Sequence, residues 1–149
     1  MPSESDLIKL YSGKILKMAA EPIYRERLSE PDASVTKRSP LCGSAITVDL
    51  NVESGVITHY GQEVRACALG QASSTIIGKA IVGRSLTEVQ RAYEELSDML
   101  KNEGPTPGKP FEELYMLKPA SEYKNRHASI LLALEATLAA FQQIEENDR

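Results

Sequence analysis

Two cysteines and two histidines are the side chains of this sequence best suited to hold a metal or to act as nucleophiles. Cys42 lies in Ser39-Pro40-Leu41-Cys42-Gly43-Ser44, and Cys67 in Ala66-Cys67-Ala68-Leu69-Gly70. Gly43 and Gly70 follow the two thiols closely, and glycine permits backbone conformations that loops wrapped around a ligand often need. Two thiolates and the imidazole of His127 make a ligand set suited to zinc or to an iron–sulfur centre. The spacings are long, so residue types alone leave other roles open. A reducing cytosol favours a thiolate role or two inert buried thiols over a disulfide for the cysteines, and His127 also reads as an ordinary surface or helix-end histidine. His59 reads as a solvent-facing strand residue.

The elements around these residues decide whether they can meet. Ser44 to Val52 alternates with period two, with Ile46, Val48, Leu50 and Val52 on one face and Thr47, Asp49 and Asn51 on the other. Glu53-Ser54-Gly55 is a turn, and Val56 to Ala66 a second strand. In an antiparallel hairpin the start of the first strand lies beside the end of the second, which predicts that Cys42 and Cys67 share one end of the sheet. Ala33 to Lys37 is a shorter strand able to extend it. Cys67 also precedes a predicted helix, Gln71 to Val82, whose N-terminal partial charge favours an anionic sulfur.

Helical patterns occupy most of the rest. Leu7, Leu10, Tyr11, Ile15, Met18 and Ala19 form an apolar stripe, with Ser3 and Asp6 as a capping signal and Pro22 as a stop. Ser85-Leu86-Thr87-Glu88 is a capping box opening a helix with Val89, Ala92, Tyr93, Leu96, Met99 and Leu100 on one side. Gly104 ends it. A short helical turn is predicted over Phe111 to Met116, and a last helix from about Ser129 to Glu145, which places His127 just before its N-terminus. Strands first and helices after predict an α+β fold, a small antiparallel sheet with helices packed on one face. The whole chain, 1–149, reads as one domain, since the only linker-like stretch, Gly104 to Pro110, is too short to divide it.

Composition removes several function classes. At 149 residues with 42% hydrophobic and 26% charged residues, the chain is an ordinary globular one. No apolar run is long enough to span a membrane, and the acidic N-terminus does not resemble a secretory signal, so a cytoplasmic location is expected. The net charge of −4 and scattered basic residues argue against nucleic acid. Ser73, Ser74 and Thr75 lack a nucleophile-elbow glycine pattern, and neither a dinucleotide fingerprint nor a P-loop is present. A serine hydrolase is not expected.

Several fragments, in order and spacing, resemble the NifU/IscU family of iron–sulfur scaffolds. Tyr11-Ser12-Gly13-Lys14-Ile15-Leu16 is similar to the family's opening helix, Leu41-Cys42-Gly43 to its first ligand motif, and Gly55-Val56-Ile57 to the strand leading to the second. Cys67 with Ala72-Ser73-Ser74 looks like that second motif, and Gly83-Arg84-Ser85-Leu86-Thr87-Glu88 like the family's helix start. Ser44 stands where the family carries aspartate. The third family cysteine is absent, and the small-residue run between Cys67 and Ala72 is altered by Leu69, Gly70 and Gln71. Aligning Ser129-Ile130-Leu131 places His127 on the family histidine and Ala128 on the lost cysteine. Shifting by one residue places His127 on the cysteine and Lys124 on a family lysine.

The resemblance implies the NifU/IscU-like fold, also called the SufE/NifU fold, and a non-enzymatic scaffold. Such a scaffold assembles a [2Fe–2S] cluster, or binds its iron, on Cys42, Cys67 and His127. A cysteine desulfurase supplies sulfur, and carrier or acceptor proteins receive the cluster. The alternative is a zinc-binding or regulatory interaction protein on the same fold, without assembly activity.

Overall fold

The computed structural model describes residues 13–21, 26–39 and 43–147. Strands β1 (Ala33–Arg38), β2 (Ala45–Glu53) and β3 (Val56–Arg65) form an antiparallel sheet in the order β1-β2-β3. The period-two pattern holds where it is strongest, with Ile46, Val48 and Leu50 buried. Ser54 and Gly55 both take left-handed φ values, 52° and 81°. A two-residue hairpin turn requires this to match the twist of its strands. Thr58 is then the extra residue of a bulge, since Asn51 pairs with His59 but Val52 with Ile57.

Among the described residues, four helices and a run of 3₁₀ turns supply the second layer. They are α1 (Gly13–Ala20), α2 (Ala68–Ala80), α3 (Leu86–Asn102), the 3₁₀ run Glu112–Glu122 and α4 (Lys124–Asn147). Helix α1 buries Ile15 and Ala19, as its stripe predicts, while Ser3, Asp6, Leu7, Leu10, Tyr11 and Pro22 lie outside the described residues. The capping box of α3 is complete: the Ser85 side chain accepts from the Glu88 backbone N–H, and the Glu88 side chain accepts from that of Ser85. Val89, Ala92, Leu96, Met99 and Leu100 are buried on its inner side.

Helix α4 begins five residues earlier than the apolar pattern predicts. Lys124, Asn125 and Arg126 are polar and carry no periodicity, yet the chain enters already turning, with Tyr123 N–H bonded to Ala120 O at 2.9 Å and Arg126 N–H to Tyr123 O at 2.8 Å. The 3₁₀ run is longer than the predicted turn because Leu114, Leu117 and Ala120, all buried, recur every three residues. That is the 3₁₀ repeat. Helix α4 lies across β1 and β2 and also packs against α2 and α3, so it touches both layers.

The face of the sheet away from the helices is covered around Asp49. Asp49, read from the alternation as an outward residue, has a fully buried side chain. Residues 26–28 cross over it. Asp49 Oδ2 accepts from Arg27 Nε at 2.7 Å and from Leu28 N–H at 2.9 Å. Its Oδ1 accepts from Ser34 Oγ at 2.6 Å and Arg27 Nη2 at 3.1 Å. Gly61, paired with Asp49 across the sheet, makes room. A Cβ there would collide with Glu26 O and lie 3.0 Å from Leu28 N.

Candidate metal centre

Cys67 sits where β3 ends and α2 begins, two residues beyond Arg65, which pairs with Ala45 at the start of β2. It is the N-cap of α2, in an extended conformation (φ −65°, ψ 169°), and its carbonyl accepts the first helical bond, from Gln71 N–H at 2.9 Å. The Gln71 side chain donates back to Ala66 O at 2.9 Å and so fixes the chain on both sides of the cysteine. The thiol is half-buried.

Across the hairpin, Ser39 and Ser44 close the base of the β1–β2 connection through a 2.8 Å bond from Ser39 N–H to Ser44 O. Gly43 takes φ +71° and its N–H reaches Ser39 O at 3.0 Å. Cys42 belongs to this connection in sequence but lies outside the described residues.

The third contributor is α4. Ser129, buried near the start of that helix, places its Oγ 3.1 Å from Ser44 Oγ and 3.7 Å from Cys67 Sγ. Gly70 is what allows this approach. A Cβ on Gly70 would collide with Ser129 Oγ and stand 2.8 Å from Ala66 Cβ. One turn further along α2, Ser73 Oγ donates to Ile130 O at 2.6 Å and locks the same two helices together. Three segments distant in sequence therefore meet around the Cys67 sulfur.

His127 is placed differently from the sequence expectation. It lies inside the first turn of α4, not before it, and it is buried. Its Nε2 is 3.1 Å from Ala120 O and 3.0 Å from Ser121 O. Both partners only accept, so Nε2 carries a proton and donates to them. Two residues along a helix is about 200° around its axis, so His127 leaves α4 on nearly the opposite side from Ser129. Among the described residues, no three His, Cys, Asp or Glu side chains converge as a metal site. His59 is exposed, as expected.

Beside His127, a groove of about 550 Å³ opens between α3 and α4, bordered by Tyr93, Lys101, Lys124 and Glu135. Burial pushes the Glu135 carboxyl above its ordinary range, against the pull of Lys37 and Lys101. Sequence reading missed this groove and the role of Ser129. The alignment of Ser129-Ile130-Leu131 contained the signal for the latter, because it set a small polar residue two places from the histidine on a helix.

Residues 10–142 match the family described as NifU-like N terminal domain. The chain belongs to that family. Within it, the chain is 27% identical over 135 residues to the iron–sulfur cluster assembly scaffold protein IscU of Thermotoga maritima, covering 91% of this chain and 94% of that one. The crystal structure of the N-terminal part of a NifU-like protein from Brucella abortus superposes with a TM-score of 0.91 at 40% identity, covering 95% of this chain and 98% of that one. A candidate scaffold for the SUF system from Fervidobacterium islandicum shares the fold, with a TM-score of 0.78 at 17% identity over 88% of this chain and 96% of that one. The expected α+β architecture and the NifU/IscU resemblance are both borne out. This is a scaffold family, not a family of enzymes.

Proposed function

We propose that the chain, acting as one domain over residues 1–149, assembles a [2Fe–2S] cluster transiently on Cys42 and Cys67 and passes it to acceptor proteins. The cluster is cargo. The observation that carries this reading is the position of Cys67: a half-buried sulfur at a helix N-cap, next to the β1–β2 connection that contains the other cysteine. Such a sulfur is held firmly by backbone yet reachable from outside, as a group that must take up and release a cluster requires. The relatedness to an IscU scaffold supports the same cargo and a cysteine desulfurase as sulfur source. A cytoplasmic setting, where thiols stay reduced, suits two ligand cysteines. No helix among the described residues is long and apolar enough to cross a membrane.

His127 is the third proposed ligand. A ring N–H given to a backbone carbonyl fixes the tautomer and leaves the other nitrogen free for a metal, a common arrangement at metal-bound histidines. His127 has the first part of that arrangement, its Nε2 lying against the Ala120 and Ser121 carbonyls. To share a metal with Cys67, the ring or the first turn of α4 has to swing, so its contribution should be smaller than either thiolate's.

Anaerobic incubation with ferrous iron, a cysteine desulfurase, cysteine and a thiol reductant to bring the delivered sulfur to sulfide, followed by visible absorption and iron and sulfide analysis, tests the reading. A coloured species is expected in the wild type, absent in Cys42→Ala and Cys67→Ala and reduced in His127→Ala. Unchanged colour in Cys42→Ala or Cys67→Ala overturns the ligand assignment. Stoichiometric zinc with no cluster under these conditions overturns the scaffold activity in favour of a zinc protein on this fold.

A further inference from the structure

The contacts of Ser129 have a direction once Cys67 binds a metal, and the direction depends on Ser44. A metal-bound sulfur is a thiolate, which accepts hydrogen bonds and cannot donate. Ser129 Oγ, 3.7 Å from that sulfur, must then donate its one proton to it. The lone pairs of Ser129 remain for Ser44 Oγ, 3.1 Å away, which donates in turn. Both hydroxyls are at most 3% exposed, so water does not compete for them.

We propose that Ser129 is a positioning residue for the Cys67 sulfur, the last member of a relay Ser44 O–H to Ser129 O–H to Cys67 S in which Ser44, unlike a carboxylate, leaves the Ser129 proton to the sulfur. This inference rests on the scaffold reading above. It also gives Ser44 a role as the residue following Cys42-Gly43. A carboxylate at position 44 would accept the Ser129 proton, because a charged acceptor makes the stronger bond. The relay would then run backwards and leave the sulfur without its donor. A hydrogen bond to a ligand sulfur draws charge from it and tunes the metal it holds.

The test uses Co(II) as the probe on the full-length apo-protein, comparing wild type with Ser129→Ala, Ser44→Ala and Ser44→Asp. The sulfur-to-cobalt charge-transfer band is the readout, since its energy falls when the sulfur loses a hydrogen bond. A shift to longer wavelength is expected in Ser129→Ala and Ser44→Asp, with Ser44→Ala close to wild type because Ser129 still has only the sulfur to donate to. A merely structural role would leave the band of Ser129→Ala, whose sulfur ligand is unchanged, at the wild-type wavelength. The companion measurement is the midpoint potential of the reconstituted cluster, which should fall in the same two variants. A tenfold change in the one-electron equilibrium corresponds to about 59 mV. Should Ser129→Ala fail to fold, the contrast between Ser44→Asp and Ser44→Ala still decides. An unmoved band in Ser129→Ala and Ser44→Asp overturns the relay and leaves the scaffold reading intact. Absence of any sulfur-to-cobalt band in the wild type overturns the thiolate site itself.

Discussion

Replacing Asp49 by Asn removes one charge from the outer face of the sheet while conserving shape. The carboxylate accepts bonds from Arg27 through two nitrogens, from Ser34 and from Leu28 N–H. An asparagine oxygen can take the Oδ2 position and keep the Arg27 Nε and Leu28 bonds. Its NH₂ can donate to the Ser34 hydroxyl, which reorients, but it opposes Arg27 Nη2. The loss is therefore the charge-assisted part of the surviving bonds, about 1 kcal/mol each, plus one donor–donor clash. The Arg27 side chain is 46% exposed, so its share is screened and stays under about 1 kcal/mol. Together these set a cost of about 2–3 kcal/mol, or a fall in Tm of roughly 4–12 °C for a chain of this size.

The pH dependence carries the sign. Burial pushes the Asp49 carboxyl up, but the bonds from Arg27, Ser34 and Leu28 outweigh it and hold the group below its ordinary value. A carboxyl lowered in the native state contributes stability above its unfolded pKa, about 3.9, and loses it as pH falls through the lower native value. Urea unfolding from pH 7 into acid should show a constant gap between wild type and Asp49→Asn down to about pH 4, closing below it. A gap of under about 0.5 kcal/mol at pH 7, the size of an ordinary surface change, or one that persists undiminished in acid, refutes the reasoning.

Three further outcomes follow from close contacts. Gly61→Ala pushes residues 26–28 off the sheet and should cost about 1–3 kcal/mol; combined with Asp49→Asn, the losses should sum to less than their total in a double-mutant cycle, because both release the same segment. Gly70→Ala drives α2 and α4 apart at Ser129, and should both lower the urea midpoint and speed loss of a reconstituted cluster to a chelator. Ser85→Ala removes the hydroxyl half of the α3 capping box, the Glu88 N–H bond to Ser85 Oγ, while the backbone N–H at 85 keeps its bond to the Glu88 carboxylate; it should cost about 1 kcal/mol, read as a lower Tm with cluster assembly unaffected.

What sequence could reveal depended on whether a feature was periodic. The hairpin, the capping box and the stripe of α3 are repeated local signals, and each appears where the pattern put it. The start of α4 was hidden because Lys124, Asn125 and Arg126 have no apolar phase. Asp49 was misread because an alternating strand says which residues share a face, not whether a segment from elsewhere covers that face. The same applies at the candidate site. Cys67 could be placed from the hairpin, but its contact with Ser129 depends on how closely α2 and α4 approach, and Gly70 alone hinted at that.

The distance along the chain between these partners also sets a timetable. Cys67 and Ser129 are 62 residues apart, and Ser44 and Ser129 are 85 apart. At about 5–20 residues per second of synthesis, roughly 3–12 s pass between the making of Cys67 and the making of the helix that covers it. During that interval the hairpin can already exist while its sulfur has no hydroxyl neighbour from α4. A nascent chain would thus present the thiol to solvent and stray metal before the surroundings that tune it are built, and the finished site is a property of the completed polypeptide alone.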